Sequence, residues 1–136
     1  MTVDGLIIFA SGHEPSETLR RAVAEITARG MTVLARIDHA AAAVSAGLEL
    51  GPTEVVIFGN AKAGTPLMRS ARTIGIDLPL RLLVWRDDAG RTFLAYNDPH
   101  WLAARHGPLE GTDGVLDAMT KALRAIAESA TGTDNL

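Results

Sequence analysis

The segment Gly59-Asn60-Ala61-Lys62-Ala63-Gly64-Thr65 follows a β-prone run, Glu54 to Phe58, and carries residue types suited to holding an anion. Lys62 would supply an ammonium, Asn60 and Thr65 hydrogen-bonding groups, and the backbone N–H groups of a helix start would point at the ligand. Gly59 and Gly64 have the spacing of the two glycines in the phosphate loop G-x-x-x-x-G-K-[ST], with Thr65 directly after the second. The lysine that motif needs after its second glycine is missing, and Lys62 lies mid-loop instead, so this is not a nucleoside-triphosphate loop. The plainer reading is a tight turn at the two glycines and a helix cap at Thr65.

Asp38, His39, Asp98, His100 and His106 form a second set, of imidazoles and carboxylates that could bind a divalent metal or move protons. Their spacing fits no metal signature, and His100 and His106, six apart on one helix, face different directions. Asp38 and Asp98 stand where helices begin, so capping explains both, and His106 falls in a last helical turn, where positive charge suits the dipole. His13, before the first helix, reads as solvent-exposed. Trp85 reads as core, and Trp101 as lining a pocket or an interface. No nucleophile stands out: there is no G-x-S-x-G and no serine placed beside a histidine in a readable pattern. Whether the chain is an enzyme stays open, no metal set is assigned and no cofactor is named.

The elements that would position these groups follow from periodicity. Leu6–Ala10 is a short buried strand, and residues 15–29 are a helix with Leu19, Ala22, Val23 and Ile26 on one face and Gly30 as its stop. Met31–Ile37 is a second strand. Asp38 caps a short alanine-rich helix, Glu54–Phe58 is the third strand, and Thr65-Pro66 has the form of an N-cap with proline at the first helical position, predicting a helix from Pro66 to Thr73. Leu80–Arg86 and Arg91–Tyr96, joined by Asp87-Asp88-Ala89-Gly90, form a hairpin, so at least this part of the sheet is antiparallel. Asp98-Pro99 starts a helix running to His106, and a last helix spans Thr112 to Ser129. The expectation is an α+β fold: about five strands, largely antiparallel, with the helices mainly on one face. Residues 1–130 form a single domain, and 131–136 a flexible tail.

Composition narrows the functional classes. With 136 residues, 47% hydrophobic and 21% charged, the chain can bury a core. A net charge of −3 and scattered arginines speak against nucleic acid. The absence of cysteine removes disulfides, thiol nucleophiles and thiolate metal sites. No run reaches the length of a membrane span, and the N-terminus lacks a signal-peptide pattern, so a cytoplasmic location is expected.

Four stretches carry a resemblance: Arg36-Ile37-Asp38-His39-Ala40, the whole of Pro52 to Met68, Gly75 to Trp85, and Tyr96-Asn97-Asp98-Pro99 with Leu102 to Gly107. Across roughly residues 5 to 127 the chain resembles the family labelled domain of unknown function 302. It departs from that family at Ala61, often proline there, and at Arg81, often lysine. The resemblance implies a compact α+β domain with a curved antiparallel-type sheet, assembled as a homodimer. The family has no settled activity and transfers no residue roles.

The functional expectation is therefore a small-molecule or anion-binding module. Its site gathers Asn60, Lys62 and Thr65, with Asp38, His39, Tyr96, Asp98 and His106 as further candidates converging at one sheet edge. The alternatives are a metal-assisted acid/base enzyme using His39 or His106, and a structural homodimer with no ligand.

Overall fold

The computed structural model describes residues 2–132. In chain order the elements are β1 (Leu6–Ser11), α1 (Pro15–Ala28), β2 (Thr32–Asp38), α2 (His39–Ser45), β3 (Thr53–Gly59) and α3 (Ala61–Ser70). A 3₁₀ turn at Arg72–Asp77 follows, then β4 (Leu80–Arg86), β5 (Thr92–Asn97), α4 (Pro99–Ala104) and α5 (Asp113–Thr131). The strands form one sheet in the order β1-β5-β4-β3-β2, antiparallel at every pairing. This is the α+β architecture expected from the sequence.

The two-residue period of a strand gives the sheet two different faces. Val56, Phe58, Leu80, Leu82, Val84, Leu94 and Tyr96 point to the helical side and are buried against Leu19, Ala22 and Ile26 of α1 and Leu116, Met119, Leu123 and Ile126 of α5. Burying each large apolar side chain contributes about 1.5–3 kcal/mol. On the other side Ile8, Val55, Ile57, Leu83, Trp85 and Phe93 are only partly buried. Trp85 is thus not core: one residue past buried Val84, it points to the open face and stacks on Phe93, ring centroids 5.4 Å apart.

Further boundaries differ from expectation: α4 ends at Ala104, leaving His106 beyond its last turn, and α3 ends at Ser70. Helix α3 begins at Ala61, not Pro66, because Asn60 Oδ1 accepts the Ala63 N–H at 2.8 Å and so caps the helix five residues early. Asparagine is the stronger N-cap, and starting there recruits Ala61 and Ala63; Pro66 then sits inside the helix, leaving the Lys62 carbonyl without its usual donor. At the other end α5 continues through Thr131, which is buried and donates from Oγ1 to the Ala127 carbonyl at 2.7 Å. His13 helps hold this end: its Nε2 meets the Gly132 carbonyl at 2.8 Å, so it is no free surface residue. The rest of the expected tail, 133–136, lies outside the described residues.

In the first turn of α1, Glu17 accepts from Arg20 Nε and Nη2 at 2.8 and 2.6 Å and from Arg21 Nε at 2.8 Å. The Arg20 contacts foremost, then Arg21, hold the carboxyl at about 2, against an ordinary 4.5. Because the folded state lowers this pKa, the stabilisation is complete above the ordinary value and is lost as pH falls toward about 2. An NMR titration of Glu17 should give a midpoint near 2 that rises in Arg20→Ala. An ordinary midpoint in the parent protein would refute it.

Candidate functional site

Helices α3 and α5 lie side by side over one end of the sheet and leave between them a groove of about 860 Å³. Its floor is the end of β3 at Gly59 and the approach to β4 at Leu78, Pro79 and Leu80. One wall is α3 from Ala61 to Met68, the other the Gly114–Ala122 stretch of α5, and the start of β2 closes the end with Met31, Thr32 and Leu34. Asn60, Lys62 and Thr65 all line it. The segment read from sequence as a loop is helical from Ala61 onward, so Lys62 is carried on the first turn of α3. The Ala61 and Lys62 amides precede the first helical hydrogen bond.

The charge of the groove is one-sided. Among the described residues Arg29 and Lys62 are its only charged lining residues and no carboxylate lines it, although the chain as a whole is acidic. Arg29 donates to Glu25 Oε2 at 2.9 Å along its own helix. Lys62 makes no ion pair among the described residues. Gly64, which sequence spacing had offered as a phosphate-loop glycine, is buried inside α3. A Cβ there would meet Leu78 Cδ1 at 3.6 Å and Met68 Cε at 3.7 Å, both ordinary contacts, and the glycine forms no phosphate loop.

The remaining candidates do not converge on this groove. Antiparallel pairing sets Thr32 against Gly59 and Asp38 against Glu54, so His39 lies at the opposite end of β2 from Lys62, about 20 Å away by strand rise. Asp38 accepts the Ala41 N–H at 2.9 Å as the cap of α2, beside a separate hollow with Glu14, Glu54 and Arg86. His39 is exposed on α2. Asp98 shares the sheet end of α3 but lies two strands across, capping α4 through the His100 N–H at 3.0 Å. Tyr96 is a core residue on the helical face, stacked with Phe9 at 6.2 Å, and its burial raises the phenol pKa.

His106 is engaged on both ring nitrogens. Nε2 meets Asp77 Oδ2 at 2.6 Å and Nδ1 meets Thr73 Oγ1 at 2.8 Å, while Arg105 Nη1 donates to Asp77 Oδ1 at 3.0 Å. A carboxylate only accepts, so Nε2 carries the proton, and in the neutral ring the Thr73 hydroxyl donates to Nδ1. This cluster ties the 3₁₀ turn to the end of α4, and none of its members lines a described hollow. No group of three or more His, Cys, Asp or Glu side chains among the described residues is arranged to hold a metal ion.

The sequence missed Met31, Met68, Met119, Gly114 and Ala118, the residues that give the groove its apolar walls. They come from the residue before β2, from α3 and from α5, and no local motif links them.

The family model described as "Domain of unknown function DUF302" matches residues 7–126. The chain belongs to this family. A crystal structure titled as an uncharacterised conserved DUF302 protein from Bacillus stearothermophilus shares the fold with a TM-score of 0.83 at 17% identity, covering 94% of this chain and 99% of that one. Two curated relatives are 44% identical to this DUF302 chain over 128 residues. They are the fluoride-specific ion channel FluC 1 of Brucella suis biovar 1 (strain 1330) and that of Brucella abortus biovar 1 (strain 9-941). The match takes in 94% of this chain but only 50% and 47% of theirs, so the chain spans about half the length of the curated relatives it matches. No helix of the described residues in the DUF302 chain is long and apolar enough to cross a membrane.

Proposed function

We propose that this DUF302 chain is a ligand-binding module that takes a small molecule bearing an anionic group into the groove between α3 and α5. One observation carries the reading: a cavity of about 860 Å³ with mostly apolar walls that, among the described residues, is lined by two cations and no carboxylate, in a chain of net charge −3. Ligand pockets are commonly apolar clefts of this size with a few convergent polar groups. Lys62 neutralises the anionic group, and Asn60 and Thr65 flank it. The Brucella relatives hold a stretch like this one within a chain about twice as long, which fits a module able to serve in larger proteins.

Calorimetric screening of anionic metabolites should identify a binder whose affinity falls about tenfold to a hundredfold in Lys62→Ala, the scale of one charge-assisted hydrogen bond. Equal binding by parent and variant would sink the proposal. The acid/base alternative has less support, because His39 stands alone on an exposed helix and both nitrogens of His106 are engaged.

A second reading concerns assembly and rests on the open sheet face. Ile8, Val55, Ile57, Leu83, Trp85 and Phe93 form a partly buried apolar surface on the face away from α1 and α5, bordered by exposed Arg81 opposite Ile57 and by the Arg91 guanidinium 5.6 Å from the Phe93 ring centroid. Five strands about 4.8 Å apart and about 20 Å long give it a flat footprint on the order of 500 Å², before side-chain relief is counted. That approaches the ~800 Å² per partner of a standard interface and matches the largest apolar patches seen on monomers. A homodimer that joins two such faces accounts for it.

A further inference from the structure

Beyond the presence of an anionic group, the groove wall carries information about the rest of the ligand. All three methionines among the described residues line it: Met31 just before β2, Met68 from α3 and Met119 from α5. Methionine side chains are unbranched and polarizable, and they conform to flexible apolar chains. On the α5 wall Gly114 and Ala118 lie one turn apart, and a Cβ at Gly114 would meet nothing within 4 Å, so this side of the trough is smooth and open. No aromatic ring lines the groove, which leaves a planar base or ring nothing to stack on. Polar lining groups sit beside the charges at the starts of β2 and α3, so hydroxyl-rich ligands lack partners farther along.

We propose that the groove takes an elongated amphipathic monoanion, an unbranched acyl carboxylate, with its head at Lys62 and its hydrocarbon chain along the methionines toward α5. This rests on the anion-binding reading above and adds the chain. Wall chemistry and charge act together: a neutral chain leaves Lys62 unanswered, and a cationic one meets the Lys62 ammonium and no lining carboxylate among the described residues.

The test is a calorimetric series of hexanoate, octanoate, decanoate and dodecanoate below their micellar limits, with dodecanol, dodecylammonium and inorganic phosphate as comparisons. The ε-methyl NMR signals of Met68 and Met119 report the site. Each added methylene is expected to tighten binding by about twofold to fourfold until the groove is filled. Dodecanol and dodecylammonium should bind at least about tenfold more weakly than dodecanoate, the scale of one lost charge-assisted contact. Ala118→Trp, which fills the trough from an exposed position on α5, should lower dodecanoate affinity by about tenfold or more while sparing phosphate. Phosphate binding as tightly as dodecanoate, with Lys62 dependence intact, would overturn the chain and leave the anion-binding reading standing. Failure of every anionic probe would overturn both. Length-dependent binding that moves neither methyl signal and ignores Ala118→Trp would place the chain elsewhere on the surface and overturn the proposal.

Discussion

Leu82→Ala is expected to remove about 2–5 kcal/mol of folding stability, seen as a lower urea midpoint at unchanged slope. Leu82 is 1% exposed and sits on β4, the central strand, between Val56 of β3 and Tyr96 of β5. Truncation there loses the transfer energy of the removed carbons and leaves a cavity that three hydrogen-bonded strands cannot close by moving together. The loss is a large fraction of the 5–15 kcal/mol typical of a domain, so the variant should be markedly more sensitive to heat and protease. A loss below about 1 kcal/mol would mean that the core is loosely packed and collapses around the gap.

The neighbouring residue should behave in the opposite manner. Leu83 faces the open side, between Val55 and Ala95, near the centre of the apolar surface. Leu83→Lys should leave monomer stability within about 1 kcal/mol, because a long aliphatic stem can lie along the sheet while its ammonium reaches water. In a dimer built on this face the same change buries one unpaired charge from each copy near the symmetry axis. That should weaken association by more than about a hundredfold. Sedimentation velocity at micromolar concentration is then expected to show a dimer for the parent and a monomer for the variant. A parent that remains monomeric at hundreds of micromolar, or a variant that still dimerises, would remove the assembly reading. The groove proposal would stand, since its lining comes from the other side and end of the sheet.

These adjacent leucines also mark how far the sequence could be read. The run Leu80 to Arg86 announces a strand and the turn after it a hairpin, and both form. Yet Leu-Leu-Val-Trp is apolar at every position, so its composition hides which residues face the helices. That is why Trp85 was assigned to the core. Parity was settled by pairing with β3 and β5, a matter of register across some 25 residues of chain. The start of α3 shows a different limit. Two capping signals compete there, Asn60 and Thr65-Pro66, and the sequence displays both. The earlier cap prevails because its hydrogen bond to Ala63 and two alanines outweigh an internal proline.

The candidate site divides along similar lines. Asn60, Lys62 and Thr65 were legible as a group because they are close in sequence, and the groove contains all three. Asp38, His39, Asp98 and His106 were grouped with them by residue type alone, and antiparallel pairing then distributed them to separate places. Local patterns of hydrophobicity, capping and turn residues are short-range physics, so the sequence by itself determined the order of elements, the sheet-and-helix class and the anion-suited segment. Tertiary structure alone decided which side chains share a hollow, because strand register and helix packing join residues dozens of positions apart. It thereby brought three methionines to Lys62, carried His39 away from it and left half of the sheet's apolar surface uncovered.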